Sequence, residues 1–116
     1  KPGTSCTLTT LDRLEGPFDL LINATPVGMY PHADASPVAA GLLHDVKAVF
    51  DAVYNPGRTR LLAEAEKAGC RTVGGMAMLV WQAAAHTIWY GARFTDADIA
   101  QLIADADAEM RRRYGG

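Results

Sequence analysis

The sequence offers little of what marks a nucleic-acid-binding, disulfide-stabilised or membrane-spanning protein. Its net charge is −2, and its one dense basic run, Arg111–Arg113, is placed to complement the dipole at the end of a helix. The two cysteines, Cys6 and Cys70, form no CxxC motif and need not pair, which fits a reducing, cytoplasmic location. The most apolar segment, residues 76–88, is too short for a bilayer, since a spanning helix takes roughly 20 residues. We therefore expect no nucleic-acid or membrane partner.

Familiar catalytic and metal-binding motifs are also missing. There is no Ser-His-Asp set, no P-loop and no GxGxxG turn. The histidines His32, His44 and His86 lie at no metal-ligand spacing with a cysteine, so no metal site is predicted. A single histidine in an apolar segment, such as His86, is more often a packed core residue than a catalyst.

Apolar residues make up 49% of the 116 residues, which is enough for the core of one domain. Apolar runs bounded by turn residues predict strands at residues 18–23, 46–53 and 70–73. Weaker patterns predict a short edge strand at 6–9, a helical turn at 10–14, and a long loop at 30–45 that contains a helical turn at 39–43.

Two helices are predicted by different signals. Thr59 fits the N-cap of a helix over 60–68, and Gly69 stands where a left-handed C-cap residue belongs. A second helix over 77–90 has no wholly polar face. We therefore expect this second helix to be buried.

A third predicted helix runs over 96–113. Thr95 fits its N-cap, and Asp98 follows three residues later, which is the spacing of a capping box. Its apolar residues form a single stripe, made of Ile99, Leu102, Ile103, Ala106 and Met110.

The order strand, loop, strand, helix, strand, helix, helix predicts an α/β fold with a Rossmann-like parallel sheet. Parallel sheets are normally covered on both faces. The few predicted helices can scarcely do this, so we expect an incomplete sheet, part of a larger one. An unpaired strand edge favours association, which makes a homodimer one expected partner.

Each predicted strand runs into an unusual loop, at Asn23–Pro26, Asp51–Pro56 and Gly74–Met78. The carboxyl ends of parallel strands share one edge of the sheet, where ligands bind. A binding site is therefore expected at this edge. Two explanations stay open: Asn23 and Thr25 can satisfy loop backbone groups or face a ligand. The glycine pair can form an ordinary turn or let an anion approach the helix N-terminus closely.

Two further polar side chains have the same pair of explanations. Gln82 lies within the apolar helix predicted over 77–90, one turn from Met78 and one turn from His86. A buried amide without partners costs roughly 1–3 kcal/mol, so Gln82 bonds either another part of the protein or a polar ligand. Tyr54 is either a half-buried packing aromatic or a ligand contact.

Taken together, the motifs NATPVGM, DAVYNP and GGMAMLVWQAA, in this order, resemble the C-terminal half of shikimate dehydrogenases. The resemblance runs from about Leu14 to Tyr90. It implies that residues 1–116 are the C-terminal half of a dinucleotide-binding domain. The helices over about 77–113 would then pack toward an N-terminal substrate domain that this chain does not contain.

The resemblance also implies an activity, a cofactor and site residues. The family reaction is the reversible, NADP-dependent oxidation of shikimate to 3-dehydroshikimate, in aromatic amino-acid biosynthesis. Its catalytic Lys–Asp pair lies upstream, so no catalytic residue is expected here and the chain alone should be inactive. Tyr54 and Gln82 would bind shikimate. The cofactor-binding residues would be Asn23, Thr25, Ala52, Gly75 and Met78.

The chain departs from the family motifs at three positions. Gly74 replaces an Asp, Ala77 replaces a Gly, and Ala52 is smaller than the apolar residue that is common there. These changes leave NAD as the alternative cofactor. The alternative functions are a quinate/shikimate dehydrogenase, or a non-catalytic relative that binds NAD(P) or shikimate.

Overall fold

The computed structural model describes residues 3–115 and has three strands and three α-helices in that range. Lys1, Pro2 and Gly116, which the domain prediction also covers, lie outside the described residues. Two short 3-10 helices, Leu11–Arg13 and Ala40–Asp45, lie close to the two predicted helical turns. The main elements in chain order are β1 (Phe18–Asn23), β2 (Val46–Asp51), α1 (Arg60–Lys67), β3 (Arg71–Val73), α2 (Gly75–Ile88) and α3 (Asp96–Tyr114).

The three strands form one parallel sheet in the order β1-β2-β3. Leu21 lies opposite Val49, and Asn23, the last residue of β1, lies opposite Asp51, the last residue of β2. Both strands therefore end at the same level. The predicted α/β class with a Rossmann-like parallel sheet is confirmed, and the loops after β1 and β2 start side by side.

Helix α1 covers one face of this sheet and forms the core with it. Its Leu61, Leu62 and Ala65 pack with Val49 of β2 and with Leu43. These apolar side chains are almost fully buried, so each of the leucines and Val49 contributes roughly 1.5–3 kcal/mol to folding by its removal from water.

The start and the caps of α1 are as the sequence predicts, although the helix ends at Lys67, one residue before the predicted end. The Thr59 hydroxyl oxygen accepts a hydrogen bond from the Leu62 N–H at 3.2 Å, which satisfies a free donor of the first turn. After the helix, Gly69 has a φ of +87°, a conformation that glycine adopts without strain.

The opposite face of the sheet is open. Successive side chains of a strand point to opposite faces, and Leu20, Ile22 and Val73 lie on the side away from α1. Each of these side chains is more than half exposed. The expectation of an incompletely covered sheet therefore holds for the part of the chain that the structure describes.

Three strand predictions need correction. Residues 6–9 form no strand, because alternation stabilises a strand only when it pairs with a neighbour, and Leu8 is almost fully exposed. Strand β2 ends at Asp51, two residues before the predicted end, because the Asp51 carboxylate bonds the Val53 N–H and turns the chain. Strand β3 begins at Arg71, one residue after the predicted start.

Helix α2 begins and ends two residues earlier than predicted, and the expectation that it is buried is wrong. Only Gly75, Met76 and Ala84 are buried in it, whereas Trp81 is about half exposed. It packs chiefly against α3, so most of its apolar surface has no cover within residues 3–115. No helix in this range combines the length and the apolar character that a membrane span requires.

Helix α3 has the predicted capping box and part of the predicted stripe. The Asp98 N–H donates to the Thr95 hydroxyl oxygen at 3.1 Å, and the Thr95 N–H donates to the Asp98 carboxylate at 2.8 Å. Of the stripe, only Ile99 is buried, and Leu102 is exposed. The apolar stripe of α3 is therefore also only partly covered.

The last turn of α3 carries an ion-pair cluster that predicts a pH dependence. Arg112 and Arg113 both donate hydrogen bonds to the Glu109 carboxylate, and they lower the pKa of Glu109 from 4.5 to about 2. Because the pKa falls on folding, the pairing stabilises the helix end above pH 4.5 and is lost as the pH falls toward 2. A carboxyl-carbon NMR titration should give this low pKa. In the double variant Arg112→Gln/Arg113→Gln the pKa should return toward the ordinary value, and an unchanged pKa would contradict the pairing.

Candidate functional site

The ends of β1 and β2 are joined by a buried pair of polar side chains, Asn23 and Asp51. Asn23 is 4% exposed and Asp51 is fully buried. The Asn23 amide nitrogen donates to the Asp51 carboxylate at 3.1 Å and to the Val27 carbonyl at 3.2 Å. The two strand ends are therefore held together by side chains as well as by the sheet.

The loop after β1 is built around the same Asn23 amide. Its oxygen accepts from the Thr25 N–H at 3.1 Å and from the Thr25 hydroxyl at 2.6 Å. The Thr25 hydroxyl oxygen in turn accepts from the Val27 N–H at 3.2 Å. Both ends of the Asn23 amide thus bond the protein itself, as in an Asx turn, which is the backbone-satisfying explanation of this residue.

Asp51, the last residue of β2, is a residue at this edge of the sheet whose role the sequence analysis did not predict. One carboxylate oxygen accepts from the Asn23 amide and from the Val53 N–H at 3.0 Å, and the other accepts from the Thr59 hydroxyl at 2.7 Å. It therefore connects β1, the turn after β2 and the N-cap of α1. The sequence did contain a signal for this role: Asp51 ends an apolar strand, where a buried charge without partners would be costly, so hydrogen-bond partners could have been expected.

A cavity of about 510 Å³ opens between the loops after β1 and β2. Thr25 lies on one wall, and Ala52 and Tyr54 lie on the other. The two loops are also joined by the backbone, since the Tyr30 N–H donates to the Asn55 carbonyl at 2.8 Å. Three of the predicted site residues therefore meet at one cavity.

The last turn of α3 forms another side of this cavity, through Met110 and Tyr114. The Tyr114 ring packs against Tyr30 with 5.1 Å between ring centroids. Sequence reasoning placed no site residue on α3, because its stripe is that of an ordinary amphipathic helix. Three tyrosines, Tyr30, Tyr54 and Tyr114, therefore line this cavity.

Gly75 lies where α2 meets the turn after β2. A Cβ at this position would lie 2.2 Å from the Ala52 carbonyl oxygen and 2.8 Å from the Val53 carbonyl carbon. The missing side chain therefore makes room for the protein's own backbone. Gly74 is the N-cap and supplies no side-chain hydrogen bond, so the first N–H groups of α2 are not capped by it.

Met78 and Gln82 do not line this cavity. Met78 is exposed on α2, and Gln82 lines an open depression on the same helix together with Leu79 and His86. The expectation of a buried Gln82 amide is wrong, because no described element covers this side of α2. His86 is exposed as well and meets Tyr90 edge-on at 5.6 Å, so it is no core histidine.

The described residues contain no cluster of metal-binding type. Within residues 3–115, no three His, Cys, Asp or Glu side chains come together so that they could hold a metal ion. Cys6 and Cys70 are free thiols, and the Cys70 thiol lies 3.1 Å from the Val46 carbonyl oxygen. The cavity itself is lined by hydroxyl-bearing, amide and apolar side chains.

The parallel sheet, with its cavity at the carboxyl ends of the strands, is part of a Rossmann-like α/β domain. The shikimate dehydrogenase (NADP(+)) of Methanopyrus kandleri is 57% identical over 75 residues, which are 63% of this chain and 26% of that protein. A chorismate mutase/shikimate 5-dehydrogenase fusion protein from Clostridium acetobutylicum superposes with a TM-score of 0.76 at 33% identity, over 85% of this chain and 37% of that one. The chain is therefore similar to one part of the shikimate dehydrogenases, and it spans well under half of the length of these relatives.

Two further comparisons limit what this similarity to shikimate dehydrogenases implies. The 5-ketofructose reductase of Gluconobacter sp. strain CHM43 superposes with a TM-score of 0.61 at 37% identity, over 76% of this chain and 32% of that one. No family model matches the chain. The chain spans well under half of the length of each of these relatives. The similarity to a 5-ketofructose reductase shows that a fold like that of this chain also occurs in a protein named for another substrate.

Proposed function

We propose that the chain is the C-terminal portion of an NADP-dependent shikimate dehydrogenase. The observation that carries the proposal is the meeting of Thr25, Ala52 and Tyr54 at one cavity, on the loops of two motifs that resemble this family. In the proposed reaction, a hydride passes from shikimate to NADP⁺ and the hydroxyl proton passes to a base. The Lys–Asp pair that handles this proton would come from a substrate domain, so the chain alone is inactive.

We assign the walls of the cavity to different parts of the ligands. Thr25 and Ala52 would lie beside the nicotinamide, where the small Ala52 leaves room for the ring. The Tyr54 hydroxyl would bond shikimate. The uncapped N–H groups at the start of α2, next to Gly75, would favour an anionic part of the cofactor, with Met78 packing beside it.

The exposed apolar residues of α2 support the proposal that a substrate domain packs against this helix. Trp81, Ile88 and Trp89 are all exposed, and several large apolar side chains exposed on one short segment are typical of an interaction site. We propose that α2 and α3 pack there against the substrate domain. Gln82 would then face the cleft between the domains and bond shikimate.

The proposal is tested by the intact mass and the activity of the protein as its source cell makes it. We expect a mass more than twice 12.4 kDa, and reduction of NADP⁺ on addition of shikimate. Quinate in place of shikimate and NAD⁺ in place of NADP⁺ are the matched controls. They decide between the shikimate and quinate enzymes and between the two cofactors.

A native mass of 12.4 kDa without a partner chain would contradict the proposal. Binding of NADP or shikimate without turnover would favour the non-catalytic relative. The departures from the family motifs at Gly74 and Ala77 are in line with this alternative. Tyr54 on the cavity wall speaks against a relative that binds no substrate, because a hydroxyl placed for a substrate has little use where none binds.

A further inference from the structure

The buried carboxylate of Asp51 sits behind both walls of the cavity. We propose that Asp51 is a positioning residue, which fixes the separation between Thr25 on one wall and the Ala52–Tyr54 segment on the other. This inference rests on the proposed function, because the separation matters for a cofactor and a substrate that must meet. Asp51 itself is fully buried and lines no part of the cavity.

The hydrogen-bonding capacity of a carboxylate explains why an Asp stands here. Asp51 accepts from the Asn23 amide, the Val53 N–H and the Thr59 hydroxyl, which are three neutral donors on three segments. An asparagine has one acceptor oxygen and would turn an NH₂ group toward one of these donors. Only an acceptor with two oxygens satisfies all three donors without a rearrangement.

Each of the three hydrogen bonds reaches a different part of the cavity or of its support. Through Asn23, whose oxygen holds the Thr25 N–H and hydroxyl, Asp51 sets the first wall. Through the Val53 N–H, it sets the segment that carries Ala52 and Tyr54. Through Thr59, it ties both walls to α1, whose first turn the same hydroxyl caps.

The arrangement has a functional consequence. A displacement of about 1 Å between reacting groups can lower a rate by about 100-fold. Loss of Asp51 releases both walls at once, whereas loss of Asn23 releases only the Thr25 wall. The two losses therefore affect the cofactor and the substrate differently.

The test compares variants of the intact dehydrogenase at a temperature where all of them are folded. Asp51→Ala should lower kcat/KM by about 10- to 100-fold, with the KM values of NADP and shikimate both raised. Asn23→Ala should raise the KM of NADP and leave that of shikimate nearly unchanged. Asp51→Asn, which keeps one acceptor oxygen, should retain most of the activity.

Leu61→Val is the matched control for stability, because Leu61 is a core residue of α1 that does not line the cavity. It should lower Tm without changing either KM. An Asp51→Ala variant that behaves like this control would overturn the inference, and so would an Asp51→Asn variant as impaired as Asp51→Ala. Should Asp51→Ala not fold, an unchanged KM of NADP in Asn23→Ala overturns it.

A second measurement does not depend on activity. The Thr25 and Val53 amides of Asp51→Ala should lose protection from hydrogen exchange relative to Leu61→Val. Retained protection would overturn the positioning role even in an inactive protein. An inactive wild type with the expected exchange pattern would contradict the proposed function alone.

Discussion

Replacing Gly75 with alanine should destabilise the protein by about 3 kcal/mol, the upper part of the range for overpacking a tight site. The added Cβ would lie 2.2 Å from the Ala52 carbonyl oxygen and 2.5 Å from its carbonyl carbon. Both are backbone atoms at the end of β2, and they cannot rotate away as a side chain can. The start of α2 must then move off the turn that carries Ala52 and Tyr54, and the cavity changes shape. Chemical denaturation and NADP affinity of the intact protein measure the two effects.

Gly41→Ala is the control for this prediction. A Cβ at Gly41 meets no atom within 4 Å, so this variant should stay within about 0.5 kcal/mol of the wild type. Equal losses in the two variants would show that the close approach of α2 to the turn is not what requires Gly75.

Gly75 also shows what a sequence motif can and cannot say. The glycine pair at the start of α2 left two explanations open, an ordinary turn or the close approach of an anion to the helix N-terminus. In the structure, the group closest to Gly75 is the Ala52 carbonyl of the same chain. This carbonyl lies more than twenty residues away in sequence, so the glycine pair alone could not indicate it. The role of Gly75 at the cofactor stays a prediction.

Local signals predicted the fold well. The Thr59 and Thr95 caps and the Gly69 C-cap depend on neighbours within a few residues, and the sequence carries all of those neighbours. The parallel sheet followed from the alternation of strands and helices. Asp51 was missed because its meaning depends on Asn23, whose amide is 28 positions earlier in the chain.

The burial of α2 could not be predicted in the same way. Its composition predicts a buried helix, yet burial also requires an element that covers it. The residues that the structure describes cover it chiefly on the side of α3. The mismatch between an apolar helix and an exposed surface is therefore the same observation that supports a substrate domain packing there.

That mismatch underlies the last prediction, which concerns Gln82. In the intact protein, Gln82→Ala should raise the KM of shikimate by about 10- to 100-fold, because a lost hydrogen bond that leaves a buried polar group unpaired costs about 1–3 kcal/mol. The KM of NADP should stay nearly constant, since Gln82 lies away from the cavity that holds Thr25 and Ala52. Steady-state kinetics with each substrate varied in turn separates the two constants.

Gln101→Ala is the control for Gln82→Ala, because it removes an exposed amide on α3 that bonds Asp105 of the same helix. It should leave both KM values unchanged. A shikimate KM unaffected by Gln82→Ala would remove Gln82 from the substrate site, and a raised NADP KM would move it to the cofactor. The glutamine projects from an open face of α2, so a substrate domain can cover it without any change in the fold described here. The exposure of Gln82 in this chain is therefore compatible with the proposed burial of this side chain against substrate.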